Sequence, residues 1–259
     1  MQLQGKILIV TGSAGGIGRS IARACVQEGA KILLVDRNED GLRETQSMLG
    51  QSSEVHVDDL LDPESASRIV KSVIDYYGAL HGIVNNAALL TRSTIESTTP
   101  ELFDRVVNVN AKAPLLLIKA GLEFLAKSKG SVVNIGSINA HCGEQPLLAY
   151  SMSKGALMTM TRNLGDSLHV QYGVRVNQVN PGWVLTEHEY QIKMDDGLPE
   201  DWPSRLPHDI APSGGLVSPE TIAAAVVFWL SDQSRPVSGS VIDMEQYPVI
   251  GRYPVKEVT

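Results

Sequence analysis

Two residues in the second half of the chain have the types and the spacing of an acid–base pair. Tyr150 and Lys154 lie four residues apart in the segment YSMSK, so a helix would place both side chains on one face. A tyrosine hydroxyl can take a proton from an alcohol, but its usual pKa of about 10 makes it a weak base at neutral pH. A lysine ammonium one helical turn away favours the phenolate. The pair therefore predicts proton transfer at a hydroxyl group.

A glycine-rich turn near the beginning of the chain predicts the partner for this chemistry. The segment TGSAGGIG, residues 11–18, follows the apolar run ILIV and precedes a stretch of helical period. Glycine permits a tight turn and the close approach of a diphosphate to backbone amides at the start of a helix. Asp36 ends the next apolar run, where a carboxylate accepts the ribose hydroxyls of adenosine and repels a 2'-phosphate. We expect NAD rather than NADP, and hydride transfer.

Three neighbouring residues bear on the cofactor. Arg37 follows Asp36, and a guanidinium beside the pocket would attract the 2'-phosphate of NADP. Ala14, in the turn itself, is not the basic residue that would assist such binding. Asp59 follows the run EVHVD and has two interpretations, an acceptor for the adenine amino group or a solvated helix cap. NAD remains the prediction.

The composition indicates one enzyme domain without nucleic-acid or membrane partners. The chain has 259 residues, 43% of them apolar, and a net charge of −7. An acidic chain without clustered basic residues argues against nucleic acid. No uninterrupted apolar run of about eighteen residues and no signal segment are present, so we expect a cytoplasmic protein. Cys25 and Cys142 predict two reduced thiols, and no motif predicts a metal.

Hydrophobic periodicity predicts the elements that position these residues. Seven apolar, β-branched runs alternate with amphipathic stretches, and the clearest helix begins with Asp62 as N-cap and Pro63 as first helical residue. This alternation predicts an α/β fold, one Rossmann-type doubly wound parallel sheet spanning residues 1–259. Residues 187–218 break the pattern with prolines, glycines and charges, and predict a substrate lid. The strands are expected at 6–10, 31–36, 55–57, 82–85, 131–137, 174–179 and 240–244.

Further motifs occur in a fixed order along the chain. NNAA at 85–88, Asn110, Ser137 and PGWVLT at 181–186 accompany the glycine-rich turn, Asp36 and YSMSK. Together they resemble the short-chain dehydrogenase/reductase family over nearly the whole chain. The resemblance implies an oxidoreductase that moves hydride between a secondary alcohol and its ketone, and a homotetramer or homodimer. The expected cofactor contacts are Gly12, Ser13, Gly16, Ile17, Gly18, Asp36, Asp59, Leu60, Asn86, Tyr150, Lys154, Pro181, Gly182, Val184 and Thr186.

The expected catalytic roles combine this resemblance with chemistry. Tyr150 is the general base or acid, and Lys154 lowers its pKa and binds the nicotinamide ribose. Ser137, at a strand end, holds the substrate oxygen. Pro114 lacks the N–H that would bond the Asn110 carbonyl, and the resemblance implies a water there that relays protons to Lys154.

The chain departs from the family pattern at two places. Ala88 replaces the usual last glycine of NNAG beside the expected cofactor path. Glu245 and Gln246 stand where the family commonly has a glycine pair after its last strand. The second departure puts the usual C-terminal arrangement in doubt.

The segments expected to line the substrate pocket are polar. They contribute Glu144, Glu189, Arg205 and two histidines, His141 and His208, which we interpret as pocket or surface residues rather than metal ligands. Polar pockets discriminate hydroxylated compounds well because an unmatched buried donor is costly. We expect a sugar, polyol or other small polar hydroxy compound as substrate. The predicted contacts are Ser137, Asn139, Gln145 and Trp183.

Two other functions remain as alternatives. A ketoreductase for substrates on an acyl carrier protein would need a basic docking patch and NADP, and the acidic chain and Asp36 argue against both. A non-catalytic NAD sensor would be expected to have lost Ser137, Tyr150 or Lys154, which are all present, so only turnover decides. The apolar residues of the Tyr150 helix form an association surface or face the sheet: Ala156, Leu157, Met160 and Leu164.

Overall fold

Seven parallel strands form one sheet in the computed structural model, which describes residues 1–250. The strands are β1 (Ile7–Thr11), β2 (Lys31–Asp36), β3 (Ser53–Val57), β4 (Gly82–Asn85), β5 (Ser131–Ile135), β6 (Arg175–Pro181) and β7 (Val241–Met244). Their order across the sheet is β3-β2-β1-β4-β5-β6-β7. The order reverses between β1 and β4, and a ligand crevice forms beside such a switch point.

Helices connect the strands and cover both faces of the sheet. One apolar core packs α1 and α9 against the sheet, and the other packs α3, α5 and α7 against the opposite face. The sheet interior is therefore buried on both sides, which confirms the predicted fold. The helices are α1 (Gly16–Gln27), α2 (Glu39–Leu49), α3 (Ser65–Tyr77), α4 (Pro100–Val107), α5 (Ala113–Ser128), α6 (Asn139–Cys142), α7 (Leu148–Tyr172), α8 (Glu187–Asp195) and α9 (Pro219–Leu230).

All seven predicted strands are present, but three boundaries differ by two residues and four others by one. β3 begins at Ser53, because its first residues pair with β2 although they are polar. β5 ends at Ile135, so that Ser137 lies in the loop beyond the strand. β6 continues to Pro181, which stands opposite Met244 of β7.

The predicted start of α3 was wrong by two residues. The helix begins at Ser65 with Glu64 at the N-cap, and Asp62 precedes it. The Asp62 carboxylate accepts a hydrogen bond from the Glu64 amide (2.9 Å), and its carbonyl accepts one from Ser65 (3.0 Å). Asp62 therefore closes a turn before the helix instead of capping the helix itself.

The lid segment, residues 187–218, begins with α8 and returns along the loop after β6. Trp202 is 2% exposed and stacks on Trp183 and Tyr190, with ring centroids 5.7 and 6.3 Å away. Arg92 pairs with Asp196 (3.0 Å) and ties α8 to the loop after β4. An aromatic stack and an ion pair thus fix the lid segment to the body.

Among residues 1–250, every helix is too short or too polar to cross a membrane. Both cysteines are free, Cys25 buried and Cys142 exposed. Burial raises the pKa of the Cys25 thiol to about 12, so that side chain behaves as an apolar core residue. The described residues hold no group of three or more His, Cys, Asp and Glu side chains arranged to bind a metal ion.

Candidate active site

Steric demands explain the glycines of the turn between β1 and α1. Gly12 and Gly16 have φ angles of 68° and 51°, a region that residues with a Cβ rarely adopt. A Cβ on Gly12 would lie 2.7 Å from Asn86 Nδ2, and one on Gly18 would lie 2.0 Å from the Gly12 carbonyl. A Cβ on Gly15 would meet nothing within 4 Å, because that residue borders open space.

A cleft of about 580 Å³ opens beside this turn, at the carboxyl ends of β1, β2, β3 and β4. Such a volume lies within the range of small-molecule sites. The turn forms one wall and the beginning of the lid forms another. The predicted cofactor residues that line the cleft are Gly12, Gly16, Ile17, Gly18, Asp36, Asp59, Leu60, Asn86 and Thr186.

Six other predicted cofactor contacts do not line this cleft, among them Tyr150 and Lys154, which lie at the end of β5. Ser13 is buried, and its hydroxyl donates to the Val35 carbonyl (3.4 Å), because the side chain points beneath the turn. Pro181 and Gly182 lie at the end of β6, and Val184 packs into the apolar core.

Sequence reasoning missed several residues of the cleft wall. Leu89 follows the NNAA segment, Val109 precedes Asn110, and both line the cleft. His188 lines it from the first turn of α8. The position of His188, two residues after Thr186, was the signal that could have identified it.

Asp36 is held at the rim of the cleft. One carboxylate oxygen accepts a hydrogen bond from the Ala14 amide (3.3 Å) and the other from the Asn38 amide (3.0 Å). Arg37 is exposed, and its side chain makes no hydrogen bond or ion pair within residues 1–250. Arg19, the other base near the turn, donates to the Ala14 carbonyl and pairs with Glu44 (both 2.6 Å). Arg37 also lines the cleft, but the charge that backbone hydrogen bonds hold in place at this rim is the Asp36 carboxylate.

The fold brings Ser137, Tyr150 and Lys154 together at the end of β5. They are 8%, 7% and 2% exposed, and the Ser137 hydroxyl acts to lower the pKa of Tyr150. Lys154 Nζ donates to the Ile135 carbonyl (2.7 Å) and lies 5.6 Å from the centroid of the Tyr150 ring. A helix and a strand end thus assemble a hydroxyl pair beside a buried amine.

Burial dominates the protonation of this pair. It raises the pKa of Tyr150 to about 12, with the nearby Glu144 carboxylate acting in the same direction and Ser137 partly opposing it. Burial also lowers the pKa of Lys154 to about 7. We expected a lowered Tyr150 pKa, and the protein's own residues produce the reverse because the phenolate is desolvated more than it is stabilised.

Asn110 lies in a π-helical turn, Asn108–Lys112, between α4 and α5. The Ala113 amide there bonds the Asn108 carbonyl, five residues back, and Pro114 follows. The Asn110 side chain accepts from the Leu89 amide (2.7 Å) and donates to the Leu89 carbonyl (3.0 Å) and to Ser153 Oγ (2.9 Å). It therefore joins the cleft wall to α7, a structural role that the sequence did not suggest.

The predicted substrate residues surround the loop after Ser137. The Asn139 amide donates to Ser137 Oγ (3.2 Å), and its side chain donates to Glu144 (3.1 Å). Gln145 is exposed. The Trp183 indole donates to Glu189 (2.8 Å), so two carboxylates border this region. His208 is exposed in the lid segment.

A chain of buried polar side chains runs through the sheet next to this site. Asn85 donates to Asn134 (2.8 Å), and Asn134 donates to Thr161 Oγ1 (2.8 Å). Thr161 lies 2.8 Å from Gln178 Oε1, and Gln178 donates to Asn180 (2.7 Å). All five are at most 4% exposed, so the bonds fix the register of β4, β5, β6 and α7.

The row of buried polar side chains that begins at Asn85 ends beside the loop that follows Ser137. Asn180 donates to Asp243 Oδ1 (2.9 Å), which lies 3.0 Å from His141 Nε2. A Cβ on Gly136 would lie 2.1 Å from Asn180 Oδ1, so glycine is required where the loop leaves β5. His141 therefore holds α6 against β7.

Comparisons with known proteins show the family to which the chain belongs. A family model described as enoyl-(acyl carrier protein) reductase, of the short-chain dehydrogenase type, matches residues 12–246. An uncharacterised oxidoreductase of Thermotoga maritima is 34% identical over 95% of this chain and 98% of its own. The chain belongs to the short-chain dehydrogenase/reductase family. The resemblance expected from the motifs is confirmed.

Two further members of the family are similar to this chain. The 2-(S)-hydroxypropyl-CoM dehydrogenase 3 of Xanthobacter autotrophicus is 33% identical, covering 94% of this chain and 96% of its own. The crystal structure of levodione reductase superposes with a TM-score of 0.84 at 27% identity, covering 94% of this chain and 97% of that chain.

Proposed function

We propose that this protein is an NAD-dependent dehydrogenase that interconverts a small polar secondary alcohol, such as a sugar or polyol, and its ketone. The observation that carries the proposal is the grouping of three buried side chains, Ser137, Tyr150 and Lys154, with Lys154 Nζ 5.6 Å from the centroid of the Tyr150 ring. These groups border the loop after β5, near a cleft that suits a dinucleotide. The resemblance to two proteins named for a dehydrogenase and a reductase supports the reaction class.

The residues of the cleft fit a nicotinamide dinucleotide. The α1 N-terminus and the glycine turn offer backbone amides to a diphosphate, and the open space at Gly15 leaves room for its approach. Asp36 would accept the adenosine ribose hydroxyls, and Asp59 and Leu60 border the expected place of the adenine. A 2'-phosphate beside Asp36 would meet a fixed negative charge, which supports NAD over NADP.

The protein's own groups manage the proton and the substrate oxygen. Ser137 donates to the substrate oxygen, and Tyr150 takes the proton from the alcohol or returns it to the ketone. Bound NAD would supply the acceptor for the hydride that leaves the carbon bearing the hydroxyl. Lys154 binds the ribose beside Tyr150, and the Asn110 carbonyl, in the π-helical turn, supports a relay that carries the proton towards solvent.

The charges near Tyr150 support a neutral, hydroxylated substrate. Asn139 holds the Glu144 carboxylate in this region, whereas the Glu189 carboxylate beyond Trp183 is paired with Lys193 (4.0 Å), which leaves Glu144 as the unpaired charge among the described residues here. Carboxylates accept hydrogen bonds from hydroxyl groups and repel anions. A sugar or polyol is therefore favoured over a hydroxy acid, which the sequence had left equally open.

Initial rates test this function. Purified protein with NAD or NADP and a panel of polyols, sugars and hydroxy acids should form reduced nicotinamide fastest with NAD and a neutral polyhydroxy compound. Glu144→Gln removes one carboxylate at constant size and should raise the relative rate with hydroxy acids. Equal rates with NADP, or a preference for hydroxy acids in the unaltered protein, would contradict the proposal.

We also propose that the protein self-associates in the cytoplasm through faces of α5 and α7. Of the residues expected for association, Leu157 is buried, Met160 and Leu164 are half-buried against the sheet core, and Ala156 is exposed. Leu115 and Met152 also expose apolar side chains, at 43% and 53%. Light scattering after gel filtration should measure the molar mass of a dimer or tetramer. Met152→Glu should lower that mass, because a charged side chain would disrupt the apolar contact.

A further inference from the structure

Glu245 and Gln246, the pair that replaces the usual glycines, contact the chain near both ends of the lid segment. They follow β7 directly. Glu245 Oε2 accepts a hydrogen bond from the Trp183 amide (3.0 Å), just before the lid segment begins. Gln246 Oε1 accepts from the Ser213 amide (2.9 Å), and its Nε2 donates to the Gly215 carbonyl (2.8 Å), close to where the segment ends. Two consecutive side chains therefore hold two distant parts of the chain.

The space around Gly182 shows that the Glu245 side chain is built into the loop. A Cβ on Gly182 would lie 1.9 Å from Glu245 Oε2. The Gly182 amide donates to the Met244 carbonyl (3.0 Å), which continues the pairing of β6 with β7. Glycine at 182 thus makes room for the carboxylate of Glu245.

The two ends of the lid segment also pair with each other. The Val217 amide donates to the Trp183 carbonyl (3.2 Å), and the Leu185 amide donates to the Val217 carbonyl (3.0 Å). We call this paired region, residues 183–185 with Val217, the neck of the lid segment. The hydrogen bonds of Glu245 and Gln246 hold the neck from the side of β7. Since the Trp183 ring stacks on Trp202 inside the lid, fixing the Trp183 backbone also orients the lid interior.

The neck carries a wall of the cofactor cleft. Thr186 caps α8, with its hydroxyl accepting from the Glu189 amide (3.0 Å), and it lines the cleft three residues after Trp183. A Cβ on Gly16 would lie 3.5 Å from Thr186 Cγ2, so this wall stands close to the glycine turn. A displaced neck would move the wall and the polar residues of α8.

We propose that Glu245 and Gln246 form a clasp that holds the neck of the lid segment and thereby positions the substrate-binding side of the site. Glycines at these two positions have no side chains to form the three bonds. The clasp residues are positioning residues, because they act through Trp183, Ser213 and Gly215. The effect on substrate binding rests on the proposed function, whereas the effect on the lid does not.

Limited proteolysis measures the lid without any substrate. Arg205, in the lid segment, has a side chain that is 63% exposed and offers trypsin a cleavage site. Gln246→Ala removes two hydrogen bonds and should speed cleavage in the lid about tenfold. Gln233→Ala is the matched control, because it removes an exposed amide far along the chain from the lid. Its cleavage rate should equal that of the unaltered protein.

Steady-state kinetics and a conservative variant separate positioning from general damage. Glu245→Ala and Gln246→Ala should raise KM for the alcohol about three- to tenfold while kcat stays within about twofold. Glu245→Gln keeps an oxygen that accepts from the Trp183 amide and should restore most of the loss. Thermal unfolding should confirm that each variant is folded.

Two results would overturn the clasp. One is a lid cleavage rate in Gln246→Ala equal to that of Gln233→Ala. The other is a loss of kcat in Glu245→Ala that Glu245→Gln does not restore. A protein that is inactive with every alcohol but shows the predicted proteolysis would contradict the proposed function and leave the clasp supported.

Discussion

At the scale of single residues, the candidate site combines Tyr150, whose pKa is raised, with Lys154, whose pKa is lowered. Burial raises the pKa of Tyr150 to about 12 and lowers that of Lys154 to about 7. Desolvation favours the neutral form of both groups. The protein alone therefore holds Tyr150 ready to donate a proton to a ketone, and alcohol oxidation needs a small phenolate population that increases with pH.

The raised pKa of Tyr150 predicts a flat pH profile for ketone reduction and a rising one for alcohol oxidation. Below its raised pKa, Tyr150 stays protonated, so ketone reduction should hold its rate from pH 6 to at least pH 9. The phenolate fraction increases with each pH unit in this range, so kcat/KM for alcohol oxidation should increase steadily. Rates with a fixed alcohol–ketone pair test this. Alcohol oxidation that decreases from pH 7 to 9 would contradict it.

Asp36 carries the predicted cofactor preference. Asp36→Ser removes the charge at the cleft rim while leaving a small polar side chain. NAD affinity should decrease by about tenfold or more, and NADP affinity should increase relative to it. Calorimetric titration with both cofactors measures the ratio. Asp59→Ser serves as a comparison on the same rim, and an unchanged ratio in Asp36→Ser would remove Asp36 from cofactor choice.

At the scale of elements, the polar chain from Asn85 to Asn180 fixes how β4, β5, β6 and α7 meet. Thr161 is its central link, since its hydroxyl contacts both Asn134 and Gln178 and is fully buried. An apolar side chain of the same shape would leave Asn134 Nδ2 and Gln178 Oε1 each without its bond to this hydroxyl.

Thr161→Val should therefore lower the free energy of unfolding by about 1–3 kcal/mol. Thr161→Ser keeps the hydroxyl and should lose less, although it also loses a buried methyl group of about 1 kcal/mol. Denaturant titration compares the two variants. Equal stability of Thr161→Val and the unaltered protein would show that the chain does not stabilise the fold.

Local patterns predicted the elements better than they predicted contacts between elements. Apolar runs located all seven strands, because strands buried on both faces have near-continuous apolar sequence. The neighbours of Asn110 were not predictable, because its bonds to Leu89 and Ser153 join segments 21 and 43 residues away. The clasp was likewise visible only as an unusual Glu245–Gln246 pair until the return of the lid placed Ser213 and Gly215 beside it.

At the scale of the whole molecule, the buried Lys154 links stability to pH. Its lowered pKa means that the unfolded chain binds a proton that the folded chain releases between pH 7 and about 10.5. Unfolding therefore takes up this proton, and the stability of the folded state increases with pH across that window. The buried Lys154 ammonium lowers the free energy of unfolding most below pH 7, where both the folded and the unfolded chain carry the charge.

Lys154→Met removes this linkage while filling the site with a chain of similar length. Relative to the variant, the unaltered protein should gain stability between pH 7 and 9.5, by up to about 1.4 kcal/mol per pH unit. Denaturant midpoints at four pH values test it. A stability difference that is constant over this range would contradict a lowered pKa for Lys154.

Reduced-nicotinamide absorbance with the unaltered protein and Tyr150→Phe tests the central claim most directly. The variant lacks only the hydroxyl, so it should bind NAD with unchanged affinity and lose turnover of polar secondary alcohols by about a thousandfold or more. Binding with lost turnover would support Tyr150 as the acid–base group of an NAD-dependent dehydrogenase. Undiminished turnover in Tyr150→Phe, or NAD binding without turnover of any alcohol or ketone by the unaltered protein, would contradict it.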